Sequence, residues 1–256
     1  MLLRLLLFVA LSVPAWAAEP PRWQQPGFIQ QAFFQVALRN EYKAGTGVLR
    51  RWQQPVRVWI DHQVADQALH TDLVKMHLKH LQAITGHSVS LVSKRDQANL
   101  ILLFTRQARW QQDVGRLLGK AATRHTRGAV CMANFRLNRR AEIDWAAVVI
   151  PVDQARMHGK LVACIVEELT QVLGLPNDSE QAYPSIFNDK TPEDLLTGLD
   201  YLLLKLLYRP ELKPGMTQQQ LRPVVQNLLR QWQIEGTIGS AAQQVRRGEL
   251  YPLLGY

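Results

Sequence analysis

The sequence lacks several features that would assign it to a common functional class. Beyond residue 17, no stretch approaches the roughly 20 consecutive apolar residues that a membrane-spanning helix needs, so no transmembrane segment is expected after that point. The sequence has no glycine-rich phosphate-binding loop and no nucleophile elbow. These absences argue against the familiar nucleotide-binding and serine-hydrolase patterns, and no cofactor is predicted.

The first 17 residues contain the one long apolar run. They combine a basic residue, Arg4, with a short apolar core and end in Ala15-Trp16-Ala17. This arrangement is typical of a secretory signal peptide that is cleaved after Ala17. An uncleaved anchor is the alternative, but the run is short for a membrane span. We therefore expect an exported protein, periplasmic or extracellular.

Cysteine is almost absent. Cys131 and Cys164 are the only two cysteines in the chain. An exported protein meets an oxidising compartment, where an even number of cysteines favours a disulfide. Two buried free thiols are the alternative. The prediction is a disulfide between Cys131 and Cys164.

Acidic residues are fewer than basic ones. Lysine and arginine number 30 and aspartate and glutamate 21, which gives a net charge of +9. The basic residues are scattered, as in Arg50-Arg51 and Arg139-Arg140, rather than gathered into one run. This pattern favours a solvated basic surface suited to an anionic cell envelope, and no nucleic-acid partner is expected.

Hydrophobic periodicity predicts a mixed α/β fold. Strands are expected at residues 56–60, 88–93, 99–105, 129–135 and 143–151. The continuous apolar run 99–105 suits a central strand. Helices are expected at residues 28–42, 69–84, 158–173, 201–208 and 218–233. In the second of these helices, Leu69 and His80 are predicted to face inward. This order predicts a twisted mixed sheet with backing helices, followed by C-terminal helices.

The helix predicted at residues 158–173 carries the least ordinary chemistry. Its apolar residues form one broad face, while Glu167, Glu168 and Gln171 lie within about a turn of each other on the other side. Gly174 follows, at a position where a left-handed residue often ends a helix. Adjacent carboxylates on a mostly apolar helix are costly to bury unless something binds them. This helix is therefore the candidate site.

The spacing in this helix is similar to the zinc signature of metzincin metallopeptidases, H-E-x-x-H-x-x-G-x-x-H. Glu167, Gln171 and Asn177 stand at the three zinc-histidine positions. Glu168 stands at the position of the catalytic glutamate, and Gly174 at that of the glycine. None of the seven histidines falls in this frame. The frame of the signature is present without its zinc-binding side chains.

Three segments together resemble an exported bacterial family called domain of unknown function 2927. They are residues 167–178, the turn 184–188, and residues 196–208, which end in Leu-Tyr. More distantly, they resemble the catalytic domain of matrixin-type metzincins, where a signature helix, a turn beneath the metal and a final helix ending in Leu-Tyr follow one another. The resemblance implies a zincin-like domain over residues 48–216, with an N-terminal extension over 18–47 that contains a helix and a C-terminal helical tail over 217–256.

The departures from the metzincin signature shape the expected site. Zinc prefers imidazole or thiolate, whereas Glu167, Gln171 and Asn177 offer oxygen atoms of the kind that calcium or magnesium accepts. No metal is predicted, and these three residues are the ligands if one binds. With Asp178 they are expected to line a binding cleft, and Glu168 is the one catalytic candidate.

Three interpretations of the acidic cluster stay open. In the first, the carboxylates are structural. In the second, the cleft binds a protein or an envelope polymer without cutting it, and offers a sheet edge for strand addition. In the third, Glu168 is the general base of a peptidase-like or glycan-cleaving hydrolase, with an oxygen-liganded metal or a carboxylate pair. The prediction is a binding domain without standard zinc peptidase activity, and the hydrolase is the alternative.

Overall fold

The computed structural model describes residues 19–39, 47–191 and 193–256. The predicted signal peptide and residues 40–42 of the first predicted helix lie outside the described residues. The strands are β1 (Arg51–Trp52), β2 (Val56–His62), β3 (Val89–Leu91), β4 (Leu100–Thr105), β5 (Met132–Leu137) and β6 (Glu142–Pro151). The helices are α1 (Pro26–Leu38), α2 (Gln67–Thr85), α3 (Trp110–Leu117), α4 (Val152–Met157), α5 (Leu161–Gln171), α6 (Gly198–Leu207), α7 (Gln218–Ile234), α8 (Thr237–Val245) and α9 (Leu250–Leu253).

The strands form one mixed sheet. Its order is β1-β6-β4-β2-β3 with all neighbours parallel, and β5 pairs with β6 in the antiparallel direction. Every residue of β4 is buried, because this strand is paired on both sides, with β2 and with β6. The predicted α/β class and the central position of this apolar run are confirmed.

The two faces of the sheet are covered by hydrophobic clusters of different size. Alternate residues of a strand point to opposite faces. Leu102 and Phe104 of β4 belong to a large buried cluster that includes side chains of α1, α2 and α5 to α9. Ile101 and Leu103 belong to a smaller cluster with Trp110 of α3. Most helices therefore cover one face of the sheet, while the connection between β4 and β5 covers the other.

Several predicted helix limits are corrected by the structure. α1 begins at Pro26, where proline suits the first turn because its missing N–H needs no partner there. The helix predicted from residue 158 begins at Leu161 instead. Gly159, in a left-handed conformation with φ of +67°, separates it from α4. In α2, Leu69 is 49 % exposed, so its predicted inward orientation is wrong, whereas His80 is buried as predicted.

Two regions contain helices that the hydrophobic pattern did not predict. α3 lies between β4 and β5 and buries only Trp110, Asp113 and Val114. α8 and α9 lie in the predicted helical tail, where no individual helix was expected after residue 233, and they bury three and two residues, among them Ile238 and Tyr251. None of the helices in the described ranges is long and apolar enough to cross a bilayer.

Two arginines at the start of β1 contradict the prediction that the basic residues are solvated. Arg50 and Arg51 are only 9 % and 6 % exposed. Arg50 Nη2 donates to the carbonyl of Ala37 (3.0 Å), and Arg51 Nη1 donates to that of Leu207 (2.7 Å). A buried guanidinium is tolerated where its N–H groups find acceptors. These two arginines tie the start of the sheet to the ends of α1 and α6.

Candidate functional site

α5 places its carboxylates at the border of the core. Its residues include neither glycine nor proline, so the helix runs unbroken from Leu161 to Gln171. Its apolar side chains, for example Ile165, are fully buried. Glu168 is 6 % and Gln171 8 % exposed, while Glu167 is partly buried. The helix therefore holds two acidic side chains next to each other, one of them almost enclosed.

The end of α5 is fixed by groups from distant parts of the chain. A helix leaves its last carbonyl groups without partners. The Trp52 indole Nε1 donates to the carbonyl of Val172 (2.8 Å), and the Tyr208 hydroxyl donates to that of Leu173 (3.0 Å). Gly174 then adopts a φ of +126°, which favours glycine. The predicted role of Gly174 in ending this helical stretch is confirmed.

A disulfide joins Cys131 to Cys164, with their Cα atoms 5.9 Å apart. The prediction of a disulfide is confirmed, and the free-thiol alternative is excluded. Cys131 directly precedes β5, the antiparallel strand, and Cys164 lies in the first half of α5. The bond therefore holds the start of β5 beside the helix that carries the carboxylates.

A cleft of about 680 Å³ lies along α5. Its acidic lining residues are Glu167, Glu168, Asp178, Asp189 and Glu193, and its basic ones are Arg124, Arg127 and Lys160. The disulfide, Gln171, Ile186 and Asn188 also contribute to the lining. Lys160 is paired with Asp194 at 2.8 Å. The cleft therefore offers groups of both charges to a ligand.

Three carboxylates converge in this cleft. Each of Glu167, Asp178 and Asp189 has a carboxylate oxygen that lies within 4.8 Å of an oxygen from each of the other two. Gln171 Nε2 donates to Asp178 Oδ1 (2.9 Å), which links the helix to the loop that follows it. Oxygen ligands of calcium lie about 2.3–2.6 Å from the ion, so oxygens at this mutual distance can share one. The carboxylate donor set suits calcium or magnesium better than zinc.

The structure brings together most, but not all, of the predicted site residues. Glu167, Glu168, Gln171 and Asp178 all line the cleft. Asn177 is not among the lining residues, and its side-chain Nδ2 donates to the carbonyl of Asp178 (2.6 Å). That hydrogen bond fixes the Asn177 amide within the loop that follows α5.

Asp189 and the basic lining residues were not predicted. Asp189 directly follows the turn at residues 184–188, which the sequence did single out, but its approach to Glu167 depends on how that turn folds. His125 also lines the cleft, and its Nε2 accepts a hydrogen bond from Arg124 Nε (2.8 Å). It comes from the unpredicted region between β4 and β5, far in sequence from the metzincin-like frame.

The turn at residues 184–188 is anchored by a buried carboxylate. Asp200, in the first turn of α6, accepts hydrogen bonds from Ser185 Oγ (2.5 Å) and from the backbone N–H groups of Ile186 (3.1 Å) and Thr197 (2.7 Å). Complete burial raises the pKa of Asp200 to about 6, although these hydrogen bonds favour the charged form. Because Ile186 lines the cleft, Asp200 fixes part of the cleft wall.

His77 supports α5 from behind and is not part of the cluster of carboxylates. It is 1 % exposed, and its Nε2 lies 3.1 Å from Thr170 Oγ1. The Thr170 hydroxyl donates to the Val166 carbonyl (2.5 Å), so the imidazole is the donor to Thr170. Burial lowers the pKa of His77 to about 3. The prediction that His77 and His80 are core or solvated residues rather than ligands agrees with their burial.

Comparison with known proteins assigns the chain to a family. No curated protein matches it. A family model described as a protein of unknown function (DUF2927) matches residues 26–227, which is well over half of the chain and includes the whole sheet, α5 and the turn that precedes α6. The resemblance read from residues 167–208 is confirmed for this family, and the chain belongs to it.

Proposed function

We propose that this protein is an exported, metzincin-like domain that binds a protein or a cell-envelope polymer in the cleft along α5 and has no standard zinc peptidase activity. The observation that carries the proposal is the composition of the cleft. It brings the carboxylates of Glu167, Asp178 and Asp189 together, beside basic side chains and without a histidine in their cluster. Such a cleft suits recognition of a charged ligand better than zinc chemistry.

The order of elements supports the metzincin-like part of the proposal. α5 corresponds to the signature helix, the anchored turn at 184–188 to the turn beneath the metal, and α6 with the following Tyr208 to the final helix. The Tyr208 hydroxyl donates a hydrogen bond to the carbonyl of Leu173 at the end of α5 (3.0 Å). The residue after the final helix is therefore in contact with the end of the signature-like helix. The domain limits 48–216 follow from the same resemblance.

Export is supported by the disulfide. Such bonds persist in oxidising compartments and are rare where thiols are kept reduced, and the bond between Cys131 and Cys164 is formed. Together with the predicted signal peptide, it points to the periplasm or the cell exterior. An envelope polymer or an exported protein is then the partner that the cleft would encounter.

The antiparallel strand β5 suggests how an extended ligand would bind. Among the described strands, β5 pairs with β6 alone. An edge strand offers unpaired backbone groups to which an extended peptide can add. Because the disulfide holds the start of β5 beside α5, a peptide added there would run next to the cluster of carboxylates.

A hydrolase is the second candidate, and the position of Glu168 favours it. This glutamate lines the cleft although only 6 % of its surface is exposed. A nearly enclosed carboxylate beside a charged cleft is the environment in which a general base operates. The neighbouring carboxylates would hold an oxygen-liganded cation, or Glu168 would act with one of them as a carboxylate pair.

The first test is the content of bound metal. The purified mature protein, Glu167→Ala and the control Glu235→Ala are equilibrated with calcium or magnesium, desalted and analysed by mass spectrometry of the elements. Glu235 is exposed at the end of α7, so its loss leaves the cleft unchanged. A stoichiometric metal lost only in Glu167→Ala would make hydrolysis the leading function. No metal in any folded sample would leave the binding role.

A second test separates the two functions. Glu168→Gln removes the carboxylate and keeps the size of the side chain. A hydrolase should lose about 100-fold or more of its activity on peptide or glycan substrates, whereas a binding domain should keep its affinity within a few-fold. Retained cleavage by a folded Glu168→Gln protein would contradict the hydrolase with Glu168 as its base.

A further inference from the structure

The connection between β4 and β5 concentrates positive charge. Residues 106–127, here called the basic excursion, contain six lysine or arginine residues and a single acidic one, a net charge of 6 − 1 = +5 with histidine neutral. All six are exposed: Arg106, Arg109, Arg116, Lys120, Arg124 and Arg127. This segment is less than a tenth of the chain and contributes more than half of its net charge of +9. The charge is therefore concentrated on one folded feature.

The basic excursion is a folded platform built around a buried carboxylate. Asp113 is completely buried, and its Oδ2 accepts a hydrogen bond from Thr105 Oγ1 at the end of β4 (2.7 Å). Its oxygens also accept from Arg116 Nη2 (2.9 Å) and Arg109 Nε (3.4 Å). The single acidic residue of the segment therefore orients two of the exposed arginines. Its pKa is lowered by these hydrogen bonds, which outweigh burial.

Other contacts fix the rest of the segment. Trp110, 3 % exposed, donates from its indole Nε1 to the carbonyl of Thr126 (3.2 Å), so the two ends of the excursion are joined. Asp153 Oδ1 in α4 accepts from the N–H of Gln107 (2.8 Å). Basic side chains on an ordered backbone bind a ligand at a lower entropic cost than a disordered basic tail.

The exposed side chains of the excursion argue against two classes of partner. Its large hydrophobic side chains are not among the exposed ones, and its one aromatic side chain, Trp110, is buried. Membrane-surface helices insert apolar side chains, and single-stranded nucleic acid is bound on exposed aromatic rings. The described residues of the excursion offer neither. What they offer to a ligand is positive charge and polar side chains.

The position of the excursion indicates a chain-like ligand. Arg124 and Arg127 lie at its end and also line the cleft along α5. The basic surface therefore reaches from the outside of the molecule to the edge of a cleft whose other charged lining residues are mostly acidic, a path that a flexible polymer can follow and a flat bilayer cannot. We infer that the basic excursion binds a linear polyanion other than nucleic acid, a polymer with repeated carboxylate or phosphate groups, and guides it along the outside of the molecule as far as the cleft. This inference rests on the proposed binding function for its choice of a polymer as partner.

The test measures polyanion binding by the full mature chain. Polygalacturonate and inorganic polyphosphate are the probes, and affinity is measured by calorimetry over a series of salt concentrations. The variant Arg106→Glu/Lys120→Glu/Arg127→Glu changes three basic residues outside the Asp113 hydrogen bonds. The control Lys94→Glu/Lys213→Glu/Arg230→Glu makes the same charge change at exposed positions elsewhere.

We expect polyanion binding to weaken in the excursion variant and not in the control variant. Wild type and control should bind at least one of the two polymers with an affinity that falls steeply with salt, and the excursion variant should bind roughly tenfold or more weakly with a shallower salt dependence. Equal weakening of both triple variants would overturn the inference, because net charge would then explain the binding. Tighter binding to vesicles of phosphatidylglycerol, or to DNA, than to either polymer would also overturn it.

A second comparison separates this inference from the function of the cleft. The titrations are repeated with Glu167→Ala, which changes the cluster of carboxylates and leaves the excursion intact. Polymer binding that survives in this variant, whatever its metal content, assigns binding to the excursion. If neither the wild type nor either triple variant binds a polyanion, the excursion is not a docking surface. The metal and Glu168→Gln measurements would still decide the function of the cleft.

Discussion

A Cβ atom on Gly174 would lie 2.1 Å from the carbonyl oxygen of Arg50. Real Cβ atoms do not approach an oxygen so closely, and both groups belong to backbone that is fixed by other contacts. Arg50 is buried and hydrogen-bonded to the end of α1, and the carbonyls just before Gly174 are bonded to Trp52 and Tyr208. The glycine of the metzincin-like frame is therefore required by the packing of β1 against the end of α5.

Gly174→Ala should destabilise the protein by about 3 kcal/mol or more, because the added methyl group forces the backbone of Arg50 away and the positive φ is unfavourable for alanine. The free energy of unfolding in urea measures the effect. Gly239→Ala is the control, since Gly239 is exposed in α8 and an added Cβ meets nothing within 4 Å. That change should be neutral or stabilise by up to about 1 kcal/mol. Equal stability of Gly174→Ala and wild type would contradict the close contact.

The disulfide should contribute measurably to stability. Replacing Cys131 and Cys164 with alanine removes a cross-link between residues 33 apart in sequence, which should lower the free energy of unfolding by about 2–4 kcal/mol. Reduction of the wild type should produce a loss of similar size, and the double variant should not respond to reductant. A reductant-sensitive double variant would show that the loss has another cause.

His77 should make stability depend on pH in the acidic range. Burial lowers its pKa from 6.5 to about 3 in the folded protein, so the unfolded chain binds the proton more tightly. The free energy of unfolding should therefore fall as the pH drops from about 6.5 towards 3, by up to about 1.4 kcal/mol per pH unit.

In His77→Gln, the side-chain amide can still donate to Thr170, but it does not titrate. Its free energy of unfolding should therefore decrease less steeply over the same pH range, as measured by urea unfolding at several pH values. The buried His80, with a pKa lowered to about 4, should retain part of the acid sensitivity. An unchanged slope in His77→Gln would contradict a neutral buried imidazole.

Asp200 should have the opposite effect to His77 on how stability depends on pH. Its pKa is raised from 3.8 to about 6 in the folded protein, so the folded state holds the proton more tightly. The contribution of Asp200 to the free energy of unfolding should thus decrease as the pH rises from about 4 to 6, by on the order of 2 kcal/mol.

Asp200→Asn removes this titration and one of the two acceptor oxygens that hold the turn at residues 184–188. The stability advantage of the wild type over this variant should be largest near pH 4 and smaller at pH 7, as measured by urea unfolding. Asp72→Asn, at a side chain that is 61 % exposed, is the matched control, and its free energy of unfolding should stay within about 0.5 kcal/mol of the wild type. A constant difference between wild type and Asp200→Asn across this range would contradict the raised pKa.

Local sequence determined the parts of this protein whose physics is local. The apolar run of β4 predicted a strand paired on both sides, and the glycine after residue 173 marked the end of the helical stretch that begins with α5. The count of two cysteines, in a chain whose first residues predict export, predicted the disulfide. In each case, the prediction needed only neighbouring residues or a count, and the distant contacts seen in the structure agree with it.

Weak or mixed patterns misled the prediction. α3 has polar side chains at half of its eight positions and one of its three buried residues is the carboxylate Asp113, so periodicity gave no helix there. In the sequence, Arg50 and Arg51 look like any exposed arginine, and it is the folded backbone that supplies carbonyl acceptors for their buried guanidinium groups, among them those of Ala37 and Leu207. Composition cannot distinguish a solvated guanidinium from one that joins two helices.

The candidate site also combines features that local sequence determines with features that tertiary structure determines. The sequence by itself determined that Glu167 and Glu168 lie side by side on a mostly apolar helix, because helical spacing is a local property. Only the tertiary structure decided that a carboxylate oxygen of Asp189 lies within 4.8 Å of one from Glu167, since the position of Asp189 depends on the turn that Asp200 anchors. It also decided that the charge of residues 106–127 lies beside the cleft, because the disulfide and Asp113 fold that connection against the sheet.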